Sequence, residues 1–353
     1  MWGAGQISWP CFLDLRCKIS SDSWTRRHLN PMAKTDRSVD ETTVEGLTAT
    51  AVRSEWGMAW RRLRRNWAAM IGGVVLLVFA VFAVLADVIA PEPINAMPNF
   101  ENRFLPPFSV GTRVPPGGEL EDAFFLFGTD DIGRDVFSRV VHGSRISLRV
   151  GLVAVLLAGA GGTLLGLAAG YFGGWPDMVI SRALDVLLAF PGLLLAIVIV
   201  ASLGPGLENA MIALGVAGIP FYARVVRGST LSAREFAYVR AARAIGMRDS
   251  RIIIRHILPN ILSPIMVSAT LGIANAIITE SALSFLGLGF PPDFPTWGRL
   301  LYDGATFIQI TPSRVIWPGV FIALTVLSVN YIGDGLRDHF DPRLRHERGR
   351  KKR

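Results

Sequence analysis

The sequence predicts an all-α protein that crosses a membrane six times. Apolar residues make up 51% of its 353 residues and charged residues only 18%, against roughly 25% charged residues in soluble domains. The chain contains six uncharged runs, most of them long enough to cross a hydrocarbon core of about 30 Å as a helix. Arginine and lysine cluster in alternate connecting segments, as expected for a chain that crosses a bilayer repeatedly.

The predicted spans are separated by charged or turn-forming segments. Gly204, Pro205 and Gly206 break the helix between the third and the fourth span, where Glu208 supplies a polar cap. In chain order, the uncharged runs are 68–86, 150–176, 186–207, 209–223, 257–279 and 315–333.

The positions of the basic residues predict that both termini lie in the cytoplasm. Four arginines stand between residues 61 and 65, eight arginines between 224 and 256, and eight lysines and arginines between 337 and 353. The segment 88–144, by contrast, carries four arginines against eight acidic residues, which places it outside. Six spans with both ends inside satisfy all four observations.

The predicted organisation follows from the spans and the charges. We expect residues 1–31 to be either a mis-called or a dispensable extension, because Met32 opens a plausible true start. In chain order, we predict a disordered N-terminal extension (1–52), a cytoplasmic juxtamembrane segment (53–67), a first span (68–90), an extracytoplasmic segment (91–145), a core of spans two to six (146–336) with an inner loop at 228–258, and a basic cytoplasmic tail (337–353).

The composition argues against several other classes of protein. A basic nucleic-acid-binding protein would be more polar than this chain, whose net charge is +8. Cys11 and Cys17 are its only cysteines and its five histidines are scattered, so neither a disulfide framework nor a metal site is expected. It has no phosphate-binding loop, no catalytic dyad and no triad. We therefore expect no catalytic residue, metal or cofactor on this chain.

Three glycines in the second span predict a close helix contact. Gly162, Gly166 and Gly170 lie four residues apart and therefore on one side of a helix. Small residues let helix backbones approach closely in lipid, where no hydrophobic effect drives helices together. The alternative is the general glycine richness of membrane helices.

Few acidic groups lie at membrane depth. Glu280 follows a long uncharged run, and it either lines a path across the membrane or caps the end of a helix. Asp185 is expected to pair locally with Arg182. No series of Asp, Glu and His runs through the spans as a proton relay would need, which argues against a proton-driven carrier.

The inner loop after the fourth span reads as two helices. Ser232 with Glu235 matches a capping box that would start the first helix, and Gly246 is a candidate C-cap. A second short helix would begin at Asp249 and end before Pro259. Alanines mark one face of the first helix: Ala233, Ala237, Ala241 and Ala244.

An alanine face suits contact with a groove of another protein, because nothing bulky separates its backbone from a partner. The alternative is an amphipathic helix that lies on anionic lipid through its arginines. Phe236 and Tyr238 are the only large apolar residues of this helix, which argues against insertion into lipid.

Residues 240–259, RAARAIGMRDSRIIIRHILP, resemble the EAA loop of ABC-importer permeases. The sequence departs from that pattern at Arg240, where the family often has Glu, and at His256. The match covers Ala241, Ala242, Gly246, Leu258 and Pro259.

Other segments resemble the C-type subunit of the dipeptide/oligopeptide (peptide/nickel) importers, and together the resemblance spans residues 53–345. "TDDIGRD" alone reads as a short outer helix capped by Thr129 or Asp130, with Ile132, Val136 and Val140 on one face. The matching segments are WRRLRRNWAAMIGG, FGTDDIGRDVFSRVVHGSRISLRVG, ESALSFLGLGFPPDFPTWGRLL and NYIGDGLRDHFDPRLR.

The resemblance implies the type I ABC-importer permease fold in a bacterial inner membrane. It implies a second homologous permease, two ABC ATPases that hold ATP and Mg²⁺, an extracytoplasmic substrate-binding protein and surrounding lipid as partners. The solute would be a dipeptide or oligopeptide, with nickel or another small solute as the alternative and an ion-gradient carrier as a distant one. The residues implied in ATPase coupling are Glu235, Phe236, Tyr238, Val239, Arg240, Ala241, Ala242, Gly246, His256 and Pro259.

Overall fold

Long apolar helices form most of the structure. The computed structural model describes residues 66–113, 121–289 and 294–340. Within that part, five helices are long and apolar enough to cross a membrane, and a sixth crossing results if one sharply bent helix pair counts as a span. The predicted all-α membrane fold is confirmed. The predicted N-terminal extension (1–52), nearly all of the juxtamembrane segment (53–67) and most of the basic tail (337–353) lie outside the described residues.

The helices and strands alternate between long spans and short connecting elements. In chain order, they are α1 (Trp67–Val84), α2 (Ala86–Ile89), a 3₁₀ turn (Phe100–Asn102), β1 (Ser109–Arg113), β2 (Glu121–Phe125), α3 (Val136–Phe172), α4 (Gly174–Leu188), α5 (Gly192–Leu203), α6 (Leu207–Arg234), α7 (Ala237–Ala244), α8 (Asp249–Ile252), a π turn (Ile253–Ile257), α9 (Leu258–Phe285), α10 (Trp297–Ala305) and α11 (Ser313–Phe340). Strands β1 and β2 pair antiparallel, with Ser109 opposite Phe125.

Helices α3 and α6 meet along a line of glycines. A Cβ added to Gly166 would lie 2.6 Å from the Ala223 carbonyl oxygen of α6, and one added to Gly170 would lie 2.9 Å from the Arg227 carbonyl oxygen. Gly162 lies in the same way against Tyr222. The two backbones approach so closely that only hydrogen fits at these three positions.

Aromatic side chains join α1, α10 and α11. The ring of Phe79 stacks on Phe321 with centroids 4.8 Å apart and meets the edge of Trp297 at 6.0 Å. Trp297 is fully buried, and its indole N–H donates to the Val140 carbonyl of α3 at 3.0 Å. The short helix α10 is thereby fixed to α3.

The third predicted span, 186–207, is wrong as a straight helix. Two helices replace it, α4 and α5, and they bend by 89° at a short break. Pro191 lies in that break and has no backbone N–H, while the residue before a proline is disfavoured in the helical conformation. The uncharged run contained this break, but counting charges could not locate it.

Two helices extend further than their uncharged runs. Helix α3 begins at Val136 rather than near 150, and α6 continues to Arg234 rather than ending near 223. Arginines within α6 are neutralised by α4: the Asp185 carboxylate lies 3.1 Å from Arg224. The predicted local Arg182–Asp185 pair is therefore wrong.

The segment 127–135 is not a helix. Thr129 and Asp135 form an isolated β-bridge, and the Asp130 carboxylate accepts the backbone N–H groups of Ile132 and Arg134. The N-cap of α3 is Asp135, whose side chain accepts the Phe137 and Ser138 N–H groups. The predicted caps Thr129 and Asp130 were wrong, since both instead close a turn that precedes the helix.

We predict that Gly166→Ala destabilises the protein by about 1–3 kcal/mol, because the added methyl group forces α3 and α6 apart. Thermal unfolding of the purified protein in detergent measures the change. Gly159→Ala on the same helix is the control, since a Cβ there comes no nearer than 3.9 Å to Tyr222. Because alanine has a higher helix propensity than glycine, Gly159→Ala should leave the stability of the protein unchanged or slightly raised. Equal behaviour of the two variants would contradict the close contact.

Candidate functional site

Helix α7 presents three of its four alanines outward, whereas Ala233, predicted for the same face, is buried near the end of α6. Val239 and Ala242 are buried, whereas Ala237, Ala241 and Ala244 are exposed on the opposite side. Because alanine side chains are short, the outer face of α7 brings backbone close to whatever contacts it. Of the residues predicted for coupling, the exposed ones are Glu235, Phe236, Tyr238, Arg240, Ala241, Gly246 and Pro259.

Gly246 closes α7 in a Schellman motif. The Gly246 N–H donates to the Arg243 carbonyl at 3.0 Å, and the Met247 N–H donates to the Ala242 carbonyl at 3.1 Å. Gly246 has a φ of +75°, a left-handed conformation that glycine adopts without the cost that a Cβ imposes. This C-cap agrees with the sequence-based prediction.

The buried side of α7 rests on the ends of the long helices. Tyr171 at the end of α3 donates a hydrogen bond to the Asp249 carboxylate. The Arg243 guanidinium lies 5.3 Å from the centre of the Tyr171 ring. Helix α7 is thus packed against α3, α6 and the start of α9. The buried residues of this cluster are Leu167, Tyr171, Val226, Ala233, Val239, Ala242, Ile252, Ile257 and Ile261.

Aromatic residues flank the alanine face. The rings of Phe236 and Tyr238 lie 5.6 Å apart, and Tyr238 lies 6.3 Å from the half-buried His256. Ile245, just beyond the helix, is 78% exposed. Exposed aromatic and aliphatic groups with arginine beside them are typical of a protein–protein interface.

Two details of the predicted loop are wrong. Ser232 lies inside α6, where its hydroxyl donates to the Gly228 carbonyl, so it does not cap α7 with Glu235. The second helix does not end before Pro259 but passes through the π turn into α9. In a regular helix the Pro259 ring would clash with the carbonyl four residues earlier, and the wider turn makes room for it.

A cavity of about 680 Å³ opens between the membrane helices. Helices α3, α6 and α9 form three of its walls, and the corner between α4 and α5 forms the fourth. None of its described lining residues is charged. They are Ala154, Val155, Ala158, Pro191, Gly192, Leu193, Leu214, Ala217, Gly218, Phe221, Tyr222, Leu271, Gly272, Asn275, Ala276 and Thr279.

Glu280 follows the last of these residues but is fully buried in the protein. It accepts a hydrogen bond from the Ser284 hydroxyl at 2.9 Å. Because α9 continues to Phe285, the predicted helix-capping role is wrong. Glu280 is not among the residues that line the cavity, and its role in a path stays a prediction.

A second cluster of polar groups lies where the loop after α2 meets the start of α3. The Glu92 carboxylate accepts the Asp135 backbone N–H at 2.8 Å, and the Glu92 N–H donates to the Ser138 hydroxyl at 3.0 Å. Burial raises the pKa of Glu92 to about 7 and also raises the pKa of Asp135. No local pattern in the sequence indicates this cluster, because Glu92 lies more than 40 residues from Asp135 and Ser138 in the chain.

The comparisons with known proteins identify the family. Residues 162–346, more than half of the chain, match the family described as "Binding-protein-dependent transport system inner membrane component". Residues 54–107 match the N-terminal transmembrane domain of oligopeptide transport permease C. The chain belongs to the binding-protein-dependent transport permeases. This permease is therefore a multi-pass inner-membrane protein of a family whose members work with an ATPase and a substrate-binding protein.

Two relatives match most of the permease. The dipeptide transport system permease protein DppC of Alkalihalophilus pseudofirmus is 46% identical over 84% of this chain and 92% of its own. The glutathione transport system permease protein GsiD of Pectobacterium atrosepticum is 42% identical over 84% and 93%. Among solved structures, an inward-facing MetNI methionine ABC transporter has a TM-score of 0.48 and 20% identity, covering 57% of this chain and 97% of that chain.

We predict that Glu92 contributes a loss of stability to the permease as the pH rises from about 5 to 8. The raised pKa of Glu92 means that the folded state binds a proton which the unfolded state has lost above a pH of about 4.5. Glu92→Gln keeps the acceptor for the Asp135 N–H without the charge, so its stability should depend less on pH. At pH 8 it should be more stable by up to about 3 kcal/mol.

Thermal unfolding of both proteins across this pH range measures the difference. Glu101→Gln is the control, because Glu101 is an exposed acid in the same loop region. If stability depends on pH in the same way in the natural chain and in Glu92→Gln, the pKa of Glu92 is not raised in the folded protein.

Proposed function

We propose that this chain is the permease subunit of an ATP-driven importer of dipeptides and oligopeptides. The observation that carries the proposal is the exposed alanine face of α7, held by the Gly246 cap on a rigid base. That face suits a groove of a separate ATPase. The named solutes of the two relatives, a dipeptide and glutathione, support a peptide as cargo.

The other subunits of the proposed complex follow from what this chain provides. It pairs with a second, homologous permease, so that the cavity between α3, α6 and α9 is completed by a partner helix bundle. Two ATPases hold ATP and Mg²⁺ and carry out hydrolysis, and this chain is not an enzyme. A substrate-binding protein delivers the solute from outside.

The proposed orientation places both termini and α7 in the cytoplasm. The arginines around α7, among them Arg234, Arg240 and Arg243, stand on the side that the positive-inside rule assigns to the cytoplasm. The loop with Glu92 and the β1–β2 hairpin then face outward, where a binding protein docks.

In the proposed mechanism, α7 moves with the ATPases and the cavity changes its access. Helix α7 shares a buried cluster with the ends of α3 and α6, so a displacement of α7 is passed to two cavity walls. The described lining of uncharged residues presents no fixed charge to a zwitterionic peptide. Selection among solutes therefore belongs to the binding protein.

Transport assays in proteoliposomes test the proposal. The chain is co-purified with its second permease and ATPases, reconstituted, and supplied with binding protein and a radiolabelled dipeptide. Uptake should need ATP on the ATPase side and should survive dissipation of ion gradients. Uptake by this chain alone, driven by an ion gradient without ATP, would overturn the proposal.

We predict that Gly246→Val abolishes solute-stimulated ATPase activity in the assembled complex. Space around the Cβ position is open, so the defect comes from forcing a β-branched residue into the left-handed conformation, which shifts the end of α7. Gly228→Val is the control, because it also has open space but lies inside α6 with a negative φ. Unchanged coupling in Gly246→Val would contradict the role of this cap.

We also predict that Ala241→Trp prevents the ATPases from co-purifying with this chain. Ala241 is exposed, so the substitution leaves the fold intact while its bulk holds the partner away from the backbone of α7. Pull-down in detergent measures the loss, and Ala160→Trp on the exposed side of α3 serves as the control. Full recovery of ATPase with Ala241→Trp would place the docking surface elsewhere.

A further inference from the structure

The geometry points to a transmitting role for α4. We propose that α4 is a lever which passes the movement of α7 to the cavity wall, and that Asp177, Asp185, Arg224 and Arg227 are its positioning residues. The inference rests on the proposed function, since it concerns how docking at α7 changes access to the cavity.

Helix α4 is only loosely packed against the rest of the protein. Of its 15 residues, only Leu184 is buried. Apolar side chains on its outer side, including Trp175, Met178 and Val186, are more than half exposed. A helix with so little buried surface can move as a unit without opening a cavity in the core.

The backbone changes direction at both ends of α4, at a glycine joint formed by Gly173 and Gly174 and at a sharp bend before α5. At its start, Gly173 and Gly174 have φ angles of +64° and +54°, which other residues rarely adopt. No atom lies within 4 Å of a Cβ built on Gly174, so conformation rather than crowding requires glycine there. At its end, the chain turns by 89° into α5 at Pro191.

Two ion pairs tie α4 to the end of α6. Arg227 binds Asp177 with two nitrogens, and its Nη2 lies 2.7 Å from Oδ2. The Asp177 side chain is only 20% exposed and that of Arg227 35%. Bidentate arginine–carboxylate pairs fix orientation as well as distance. Arg224 and Asp185 form a second, more exposed pair further along the helix, which contributes less.

The partners of these acids lie on the element that leads directly into α7. Helix α6 ends at Arg234 and α7 begins at Ala237. Arg234 also donates to the Gly170 carbonyl at 3.0 Å, next to the glycine joint. A displacement of α7 therefore acts first on the part of α6 that holds α4.

The other end of α4 reaches the cavity. Pro191, Gly192 and Leu193, at the corner between α4 and α5, line the cavity together with residues of α3, α6 and α9. The ion pairs, the helix and the corner thus connect the docking face with the cavity. A tilt of α4 about its glycine joint moves the corner and changes the width of the cavity.

Swapping the charges of the Asp177–Arg227 pair in the assembled complex tests whether α4 acts as a lever. Asp177→Arg sets two arginines against each other and should lower the ratio of solute-stimulated to basal ATPase activity by about tenfold. The double variant Asp177→Arg with Arg227→Asp restores attraction and should recover the ratio to within about threefold of the natural chain. Arg182→Glu, a charge reversal on the same helix outside both pairs, should have no effect.

A distance measurement with a milder variant tests the lever even if the charge-reversed variants assemble poorly. Spin labels at Met178→Cys on α4 and Leu164→Cys on α3, with Cys11 and Cys17 replaced by serine, should report a shift when the ATPases are trapped with an ATP analogue. The milder variant Asp177→Asn with Asp185→Asn should lose that shift while nucleotide still closes the ATPases.

The outcomes separate the lever from the proposed function. If the natural complex shows no solute-stimulated hydrolysis, the proposed function fails. If solute stimulates hydrolysis in the natural complex and equally in Asp177→Arg, the lever alone is wrong. The lever alone is also wrong if the double variant has no higher ratio of stimulated to basal ATPase activity than Asp177→Arg. A label distance that does not respond to nucleotide would also overturn the lever.

Discussion

The close approach of α3 and α6 is the constraint on which the rest of the structure depends. Lipid surrounds both helices, so their association must come from packing rather than from exclusion of water. Gly162, Gly166 and Gly170 permit that packing because they place no side chain of α3 between the two backbones. The position of α6 against α3 then determines where one wall of the cavity lies and where α7 begins.

Helix α7 combines a well-packed side with an exposed side. Val239 and Ala242 bury one side of α7 in a cluster built from the ends of three helices. The opposite side carries small residues that need no partner within this chain. Because the base is well packed, a force applied to the free face moves the helix ends rather than deforming α7.

Two different kinds of contact hold α3, α4 and α6 together. Between α3 and α6 the contact is a close approach of backbones along three glycines, whereas α4 is tied to α6 by two ion pairs, of which Arg224–Asp185 is the more exposed. Ion pairs of this kind can be exchanged at modest cost, unlike the glycine contact. The polar cluster around Glu92 is a third type of contact, in which burial disfavours the ionised form of the Glu92 carboxyl group and raises its pKa.

Local sequence determined the spans, the glycine contact and the C-cap of α7. Each depends on residues near one another in the chain: an uncharged run, a spacing of four, or a glycine after a helix. The break at Pro191, the extension of α6 past Arg224, the continuation of α8 into α9 and the partners of Asp177 and Asp185 were decided by tertiary structure. Whether a charge ends a helix depends on whether a distant residue neutralises it, and only packing brings such residues together.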